Sequence, residues 1–184
     1  MDVETPCQGV FTKRRKIMSA VTGTMGTTQC LTFKLGDEVF ALDIAKTREV
    51  LKFATITKVP RTPSYMCGVI NLRGSVVPVI DMRLKFGLPA AEMANSRIII
   101  VEVAVDEGLL LLGALVDSVR EVITLGADQI EPPPKIGMRL KTEFIRGMGK
   151  KDNHFIIILD IDKVFSAHEL AIVQDAGDDG IPME

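Results

Sequence analysis

The sequence predicts a mostly β protein made of two copies of a small unit of about five short strands, with short helices and one C-terminal helix. Three observations carry that prediction. Apolar residues recur with a period of two in short runs, and turns containing Gly, Asp or Pro separate those runs. Thr47-Arg48-Glu49-Val50-Leu51 reappears as Val119-Arg120-Glu121-Val122-Ile123, an offset of 119 − 47 = 72. Val79-Ile80-Asp81-Met82 reappears as Ile158-Leu159-Asp160-Ile161, an offset of 158 − 79 = 79. The first offset also places Gly36 on Gly108, Phe40 on Leu112 and Ile44 on Val116, and the second places Gly68 on Gly147. Short strands with many turns favour small barrels, which remove most open sheet edges.

Residues 1–28 read as a disordered tail. Their basic cluster, Lys13-Arg14-Arg15-Lys16, precedes an apolar run that Thr22, Gly23 and Thr24 break before it reaches signal-peptide length. Residues 29–175 form the folded part, with a boundary between two lobes near 88–96, and residues 176–184 are a second disordered tail. Leu31, Phe33 and Leu35 alternate with Thr32 and Lys34, and Gly36-Asp37-Glu38 turns the chain into Val39-Phe40-Ala41-Leu42, a β-hairpin. Asp43 can cap one helical turn before a strand through Val50 and Leu51. Pro60 and Pro63 stiffen the following loop.

Gly68 to Asp81 is a β-turn-β element with Asn71-Leu72-Arg73-Gly74 at the bend. Pro78 predicts that the outgoing strand is an edge or irregular in its first part. Asp81 caps one helical turn, Met82 to Phe86, which Gly87 and Pro89 stop. Arg97–Val105 and Leu109–Val116 are strands, the second apolar on both faces and expected to be buried. Val119–Ile123 is a strand, Ala127–Pro134 an extended loop, and Phe155–Leu159 a strand. Asp162 or Ser166 caps a final helix whose apolar face uses Val164, Phe165, Leu170 and Val173.

The chain has 184 residues, 47% of them hydrophobic, with a net charge of −2, so a core can form and no basic face invites nucleic acid. No window approaches the ~18 apolar residues of a membrane span, so no direct membrane insertion is expected. Cys7, Cys30 and Cys67 match no metal or disulfide framework, which points to a reducing, cytoplasmic compartment. His154 and His168 are the only histidines, and HExxH, GxSxG and Walker-type loops do not occur. Asp81 and Asp160 read as strand-end caps before they read as paired catalytic carboxylates. The expectation is a binding module rather than an enzyme, with no catalytic residue, no metal and no cofactor. Arg73, at the tip of a rigid turn, is the leading contact residue, because arginine brings five donors and is enriched at binding hot spots.

The order LGDEVFALDI, Thr47-Arg48-Glu49-Val50, GVINLRGSVVPVIDMRLKFG, GALVDSVREVI and EPPP resembles the CheW family of bacterial chemotaxis coupling proteins, over residues 29 to about 174. The resemblance implies two SH3-like five-stranded β-barrels with a shared core. It implies a non-enzymatic adaptor that joins the cytoplasmic tip of transmembrane chemoreceptors to the regulatory domain of the histidine kinase CheA, in arrays at the inner face of the membrane. It implies receptor-binding positions at Arg73, Glu49 and Thr47, with Gly68 and Val122 at positions sensitive to change, and kinase contacts near Leu51 and Val76. Thr47 departs from the family pattern, where an apolar residue is common. An adaptor of another receptor-kinase pathway, such as twitching motility, shares all these features.

Overall fold

The computed structural model describes residues 26–52, 54–91, 94–106, 108–135 and 140–178. The basic cluster at Lys13 to Lys16 and the last six residues lie outside them, as does the side chain of Val173. The strands are β1 (Thr27–Leu35), β2 (Glu38–Asp43), β3 (Thr47–Lys52), β4 (Met66–Leu72), β5 (Ser75–Asp81), β6 (Arg97–Val105), β7 (Gly108–Val116), β8 (Ser118–Gly126), β9 (Ile130–Glu131), β10 (Ile145–Lys151) and β11 (His154–Leu159). The helices are α1 (Met82–Lys85), α2 (Ile161–Val164) and α3 (Ala167–Asp178). Strand β1 starts at Thr27, two residues inside the expected tail, and α3 runs three residues beyond 175.

Two mixed sheets result. One has the order β9-β10-β11-β2-β1-β8 and the other β3-β6-β7-β5-β4. The arrangement is mostly β and SH3-like. Among the described residues, neither sheet closes through a continuous ladder. In the first, β8 runs through a short 3-10 turn (Ala127–Gln129) into β9, so one stretch of chain forms both edges. In the second, the chain beyond β3 crosses to the opposite edge, where Thr57 and Val69 exchange two hydrogen bonds of 2.8 Å. The stretch after β8 is therefore not wholly extended loop, contrary to what its prolines suggested.

The duplication is visible in the pairing itself. Val79 pairs with Gly113, and Ile158 with Ala41, both in parallel. Residue 158 is 79 moved by the second offset, and residue 113 is 41 moved by the first. Met66↔Ile80 and Ile145↔Leu159 correspond in the same way, each next to an irregularity at a glycine, Gly68 or Gly147.

The two copies are not side by side, however. The hairpin β1–β2 of the first copy joins the sheet made by β8 to β11 of the second, and β6–β7 of the second joins β3 to β5 of the first. The segment 88–96 thus connects β5 and β6, two strands of one sheet, and it is not a boundary between lobes. Period-two patterning leaves this exchange open, because either hairpin satisfies either sheet.

Two ion pairs of inverted sign pin the exchanged hairpins. Arg83 on α1 meets Asp117 at 2.9 Å, and Asp117 also accepts from the Gly36 amide at 2.7 Å. At the position equivalent to Arg83, Asp162 on α2 meets Lys46 at 2.8 Å and accepts from the Ala104 amide at 2.8 Å.

Each sheet has an inner cluster: Cys30, Ala41, Ile123, Leu125, Ile156 and Ile158 in the first, and Ile70, Val77, Val79, Ile98, Ile100 and Leu115 in the second. A larger core between the sheets holds Phe33, Leu42, Ile80, Val101 and Leu112. Phe33, Phe40, Phe86 and Phe144 step across it with centroid spacings of 5.8, 5.8 and 6.3 Å. Asp81 caps α1 through the amides of Arg83 and Leu84, and Gly87 at φ +76° ends it. The Leu88 amide reaches back to the Arg83 carbonyl at 2.7 Å, completing the C-terminal motif.

Pro78 sits in an interior strand. It pairs with Val69 on β4, and the parallel partner β7 begins only at Val79, so its missing donor falls where β5 has one neighbour. Leu109 departs from the expected buried strand and is 62% exposed at the tip of β6–β7.

Helix α3 is fastened by one network. Ser166 caps it reciprocally with Glu169, whose carboxylate also takes bonds from Tyr65 (2.7 Å) and Lys85. The Lys85 ammonium lies over the rings of Tyr65, Phe165 and Phe144 at 4.8, 5.3 and 5.8 Å. Burial alone would raise the Glu169 pKa, but the bonds from Lys85, Ser166 and Tyr65 outweigh it and hold the carboxyl at about 2. A carboxyl depressed on folding contributes stability that is complete above its ordinary value of 4.5 and is lost as the pH falls toward 2. Acid titration of the urea midpoint is therefore expected to fall less steeply across that window in Glu169→Gln than in the native protein. Equal slopes would remove Glu169 as the cause.

Candidate functional site

The β4–β5 bend is set by the backbone. Arg73 and Gly74 both have positive φ, +52° and +88°, and the Asn71 side chain accepts from the Gly74 amide at 2.8 Å. That conformation aims the guanidinium across to β3. Its two terminal nitrogens take the two carboxylate oxygens of Glu49 at 2.5 and 3.0 Å, a bidentate pair. Because β3 and β4 are opposite edges of the same sheet, this pair is a second closure of the barrel beside the Thr57–Val69 bridge.

The Arg73 side chain is 74% exposed, and the Glu49 pair uses two of its five donors. The hydrogen bond from Arg73, opposed by desolvation and aided by the arginine's charge, lowers the Glu49 pKa, and the same bond raises that of Arg73. Both groups are thus ionised throughout the neutral range. The remaining donors are held in a fixed direction, ready for a partner's acceptors.

Thr47 is two residues along β3, half-buried, with its hydroxyl 3.4 Å from the Asp43 carbonyl oxygen. Val122 lies on β8, the edge of the other sheet, opposite Leu31 and 49% exposed. Gly68 is buried at φ +141°, and a Cβ there would come within 2.2 Å of the Thr57 carbonyl oxygen. Its place is to let the closing bridge form, so it offers no contact surface of its own. Leu51 packs against the inner cluster of its sheet, whereas Val76 is 42% exposed. The structure therefore joins Arg73 and Glu49, places Thr47 two residues along the same strand, leaves Val122 on the second sheet, and packs Leu51 against the inner cluster.

Sequence reading missed Val50, Phe155 and the pair Glu121–Lys151. Val50 and Val122 correspond under the first offset and are 40% and 49% exposed; Val76 and Phe155 correspond under the second, at 42% and 54%. Glu121 is the counterpart of Glu49, and it meets Lys151 beside the β10–β11 turn at 3.7 Å. Each sheet thus carries an exposed apolar pair at equivalent places, and in each the glutamate of one edge strand, Glu49 or Glu121, meets a cation at or beside a hairpin turn across the sheet. Extending the two offsets beyond the identical letters would have found them.

No helix of the described residues is long and apolar enough to cross a membrane. Residues 29–169 match the family model of the CheW-like domain. The chain is similar to the chemotaxis protein CheW of Klebsiella aerogenes, 36% identical over 145 residues that cover 79% of this chain and 86% of that one. It is 33% identical to the chemotaxis protein CheW of Rhizobium meliloti over 146 residues, covering 79% and 92%. The crystal structure of the scaffolding protein TtCheW from Thermoanaerobacter tengcongensis superposes with a TM-score of 0.69 at 38% identity, over 77% of this chain and 94% of that one.

Proposed function

The chain belongs to the CheW-like domain family and has the chemotaxis coupling role of that family, and on that premise we propose that it is a non-enzymatic adaptor between the cytoplasmic tip of chemoreceptors and the histidine kinase CheA. The observation that carries the receptor half is Arg73, exposed at a strained turn and oriented by Glu49 with donors to spare. A receptor helical hairpin offers carboxylates and carbonyl oxygens beside an apolar ridge, and Arg73, Thr47 and Val122 supply the matching polar and apolar contacts. The kinase half uses the exposed Val76, with Val50 in place of the inward-facing Leu51. Individually modest contacts suffice, because an array multiplies them.

The test is a pull-down of the purified chain with a CheA kinase and with a receptor cytoplasmic fragment, separately and together, followed by kinase assay. Binding to both and receptor-dependent activation of the kinase are expected. Binding to neither overturns the proposal, and binding to the kinase of another receptor pathway alone would reassign the adaptor to that pathway.

A further inference from the structure

The two copies differ at one place where the repeat makes them comparable. In the second copy, Asp160 closes β11 and ion-pairs with Lys163 at 3.5 Å. Its counterpart Asp81 closes β5 in the same way: the Asp81 amide bonds to the Tyr65 carbonyl at 2.7 Å, and the Asp160 amide to the Phe144 carbonyl at 2.8 Å. The position equivalent to Lys163 is Leu84, so Asp81 lacks that cation. It is only 6% exposed. Its Oδ1 accepts from the amides of Arg83 and Leu84, and among the described residues no donor reaches its Oδ2.

Beside it lies a cavity of about 540 Å³, with Ile56, Val59, Met66, Cys67 and Leu84 in its wall and Asp81 at its lining. That is the size range of small-ligand sites, which combine apolar walls with few polar groups. The second copy has its own cavity of about 510 Å³ at the equivalent place, but there Lys141 and Glu143 replace Thr62 and Ser64, and Glu169 from α3 enters it. One cavity is lined by three lysines and two glutamates; the other has the buried Asp81 carboxylate beside apolar walls, with Thr62, Ser64 and Lys58 also in its lining.

The nearby charges meet the need only in part. The Arg83 charge favours the Asp81 carboxylate from a distance, but its guanidinium is bonded to Asp117 and to the Pro89 carbonyl. Lys58 stands at the exposed rim, and no ion pair joins it to Asp81 among the described residues. A buried carboxylate with no cation bonded to it is costly, and a cation that enters from solvent relieves that cost. Burial raises the Asp81 pKa, against the bonds from the Leu84 and Arg83 amides and the charge of Arg83, and the Asp117 charge adds to the rise.

We propose that this cavity is a binding site for an alkyl cation, an alkylguanidinium or alkylammonium head on an apolar stem, with Asp81 taking the head and the Ile56–Val59–Leu84 wall taking the stem.

The experiment titrates the full-length protein with n-pentylguanidinium, and separately with a short peptide bearing one arginine between leucines, by calorimetry, with Cys67 alkylation as a second readout. Native protein is expected to bind, and bound ligand to slow alkylation of Cys67. Asp81→Asn keeps the capping acceptor and removes the charge, so it is expected to weaken binding by about tenfold or more. Leu84→Lys restores the cation that the second copy has and is expected to abolish binding, while Lys163→Leu, on the other barrel, leaves it unchanged. A peptide that binds much more tightly than the free cation would identify a polypeptide source, and equal affinities a free small molecule. Absence of binding by the native protein overturns the proposal. So does native-like binding by Leu84→Lys, which decides the matter even where Asp81→Asn fails to fold.

Discussion

Gly68→Ala is expected to destabilise the protein by about 3 kcal/mol or more, because two costs of about 1–3 kcal/mol each fall on one methyl group. The first is conformational: φ is +141°, a region that L side chains rarely adopt. The second is steric. The new Cβ would lie 2.2 Å from the Thr57 carbonyl oxygen and 2.8 Å from the Ile56 methyl group, so the strand crossing at Thr57 has to retreat. Retreat breaks both 2.8 Å bonds between Thr57 and Val69, the bridge that closes the second barrel. Gly74→Ala is the control. Gly74 also has positive φ, +88°, but nothing lies within 4 Å of the place a Cβ would take there, so only the conformational cost applies, about 1 kcal/mol. Urea unfolding of the two variants measures the difference. Equal midpoints would show that the Thr57 crossing is loose and that Gly68 is not held there by packing. A Gly68→Ala protein that stays folded but loses receptor binding would then report on the shape of the closed barrel.

This position also marks how far the sequence was legible. Gly68 stood out by its letters and by its match with Gly147, yet the reason for it is Thr57, eleven residues away across an irregular segment. The strands themselves were legible because their signals are local: the alternation around Phe33, the turn at Gly36, the capping aspartate at 81. The repeat was legible for the same reason. What escaped was pairing at long range. Ala41 pairs with Thr32 through a local hairpin, but its parallel partner Ile158 comes from the far end of the chain, and no local pattern names it. The inward packing of Leu51 was legible by parity, since residues of β3 alternate and the face opposite the exposed Val50 is the core face. The cavity beside Asp81 was legible only as a capping aspartate, because its walls come from three separate segments.

Arg73→Glu is expected to lower receptor binding by about tenfold or more while leaving the fold intact, a hot-spot loss carried by a side chain that is mostly in water. Stability is nearly untouched because exposed ion pairs contribute little to folding. Two roles for Arg73 remain to be separated: a clamp that holds Glu49 and closes the sheet, and a donor set offered to the receptor. Glu49→Arg combined with Arg73→Glu separates them. The exchange restores an ion pair between the same two strands, so the clamp is regained. It does not restore the donors at the tip of the turn, because a glutamate there only accepts. The double variant is therefore expected to remain defective in receptor-dependent kinase activation while its kinase binding stays native. Recovery of activation in the exchanged protein would mean that only the clamp matters and that the receptor reads the shape of the barrel. Continued loss, with β3 and the turn still joined, leaves direct contact through the guanidinium as the explanation, and it accounts for why the chain holds a residue in a strained, left-handed conformation to present it.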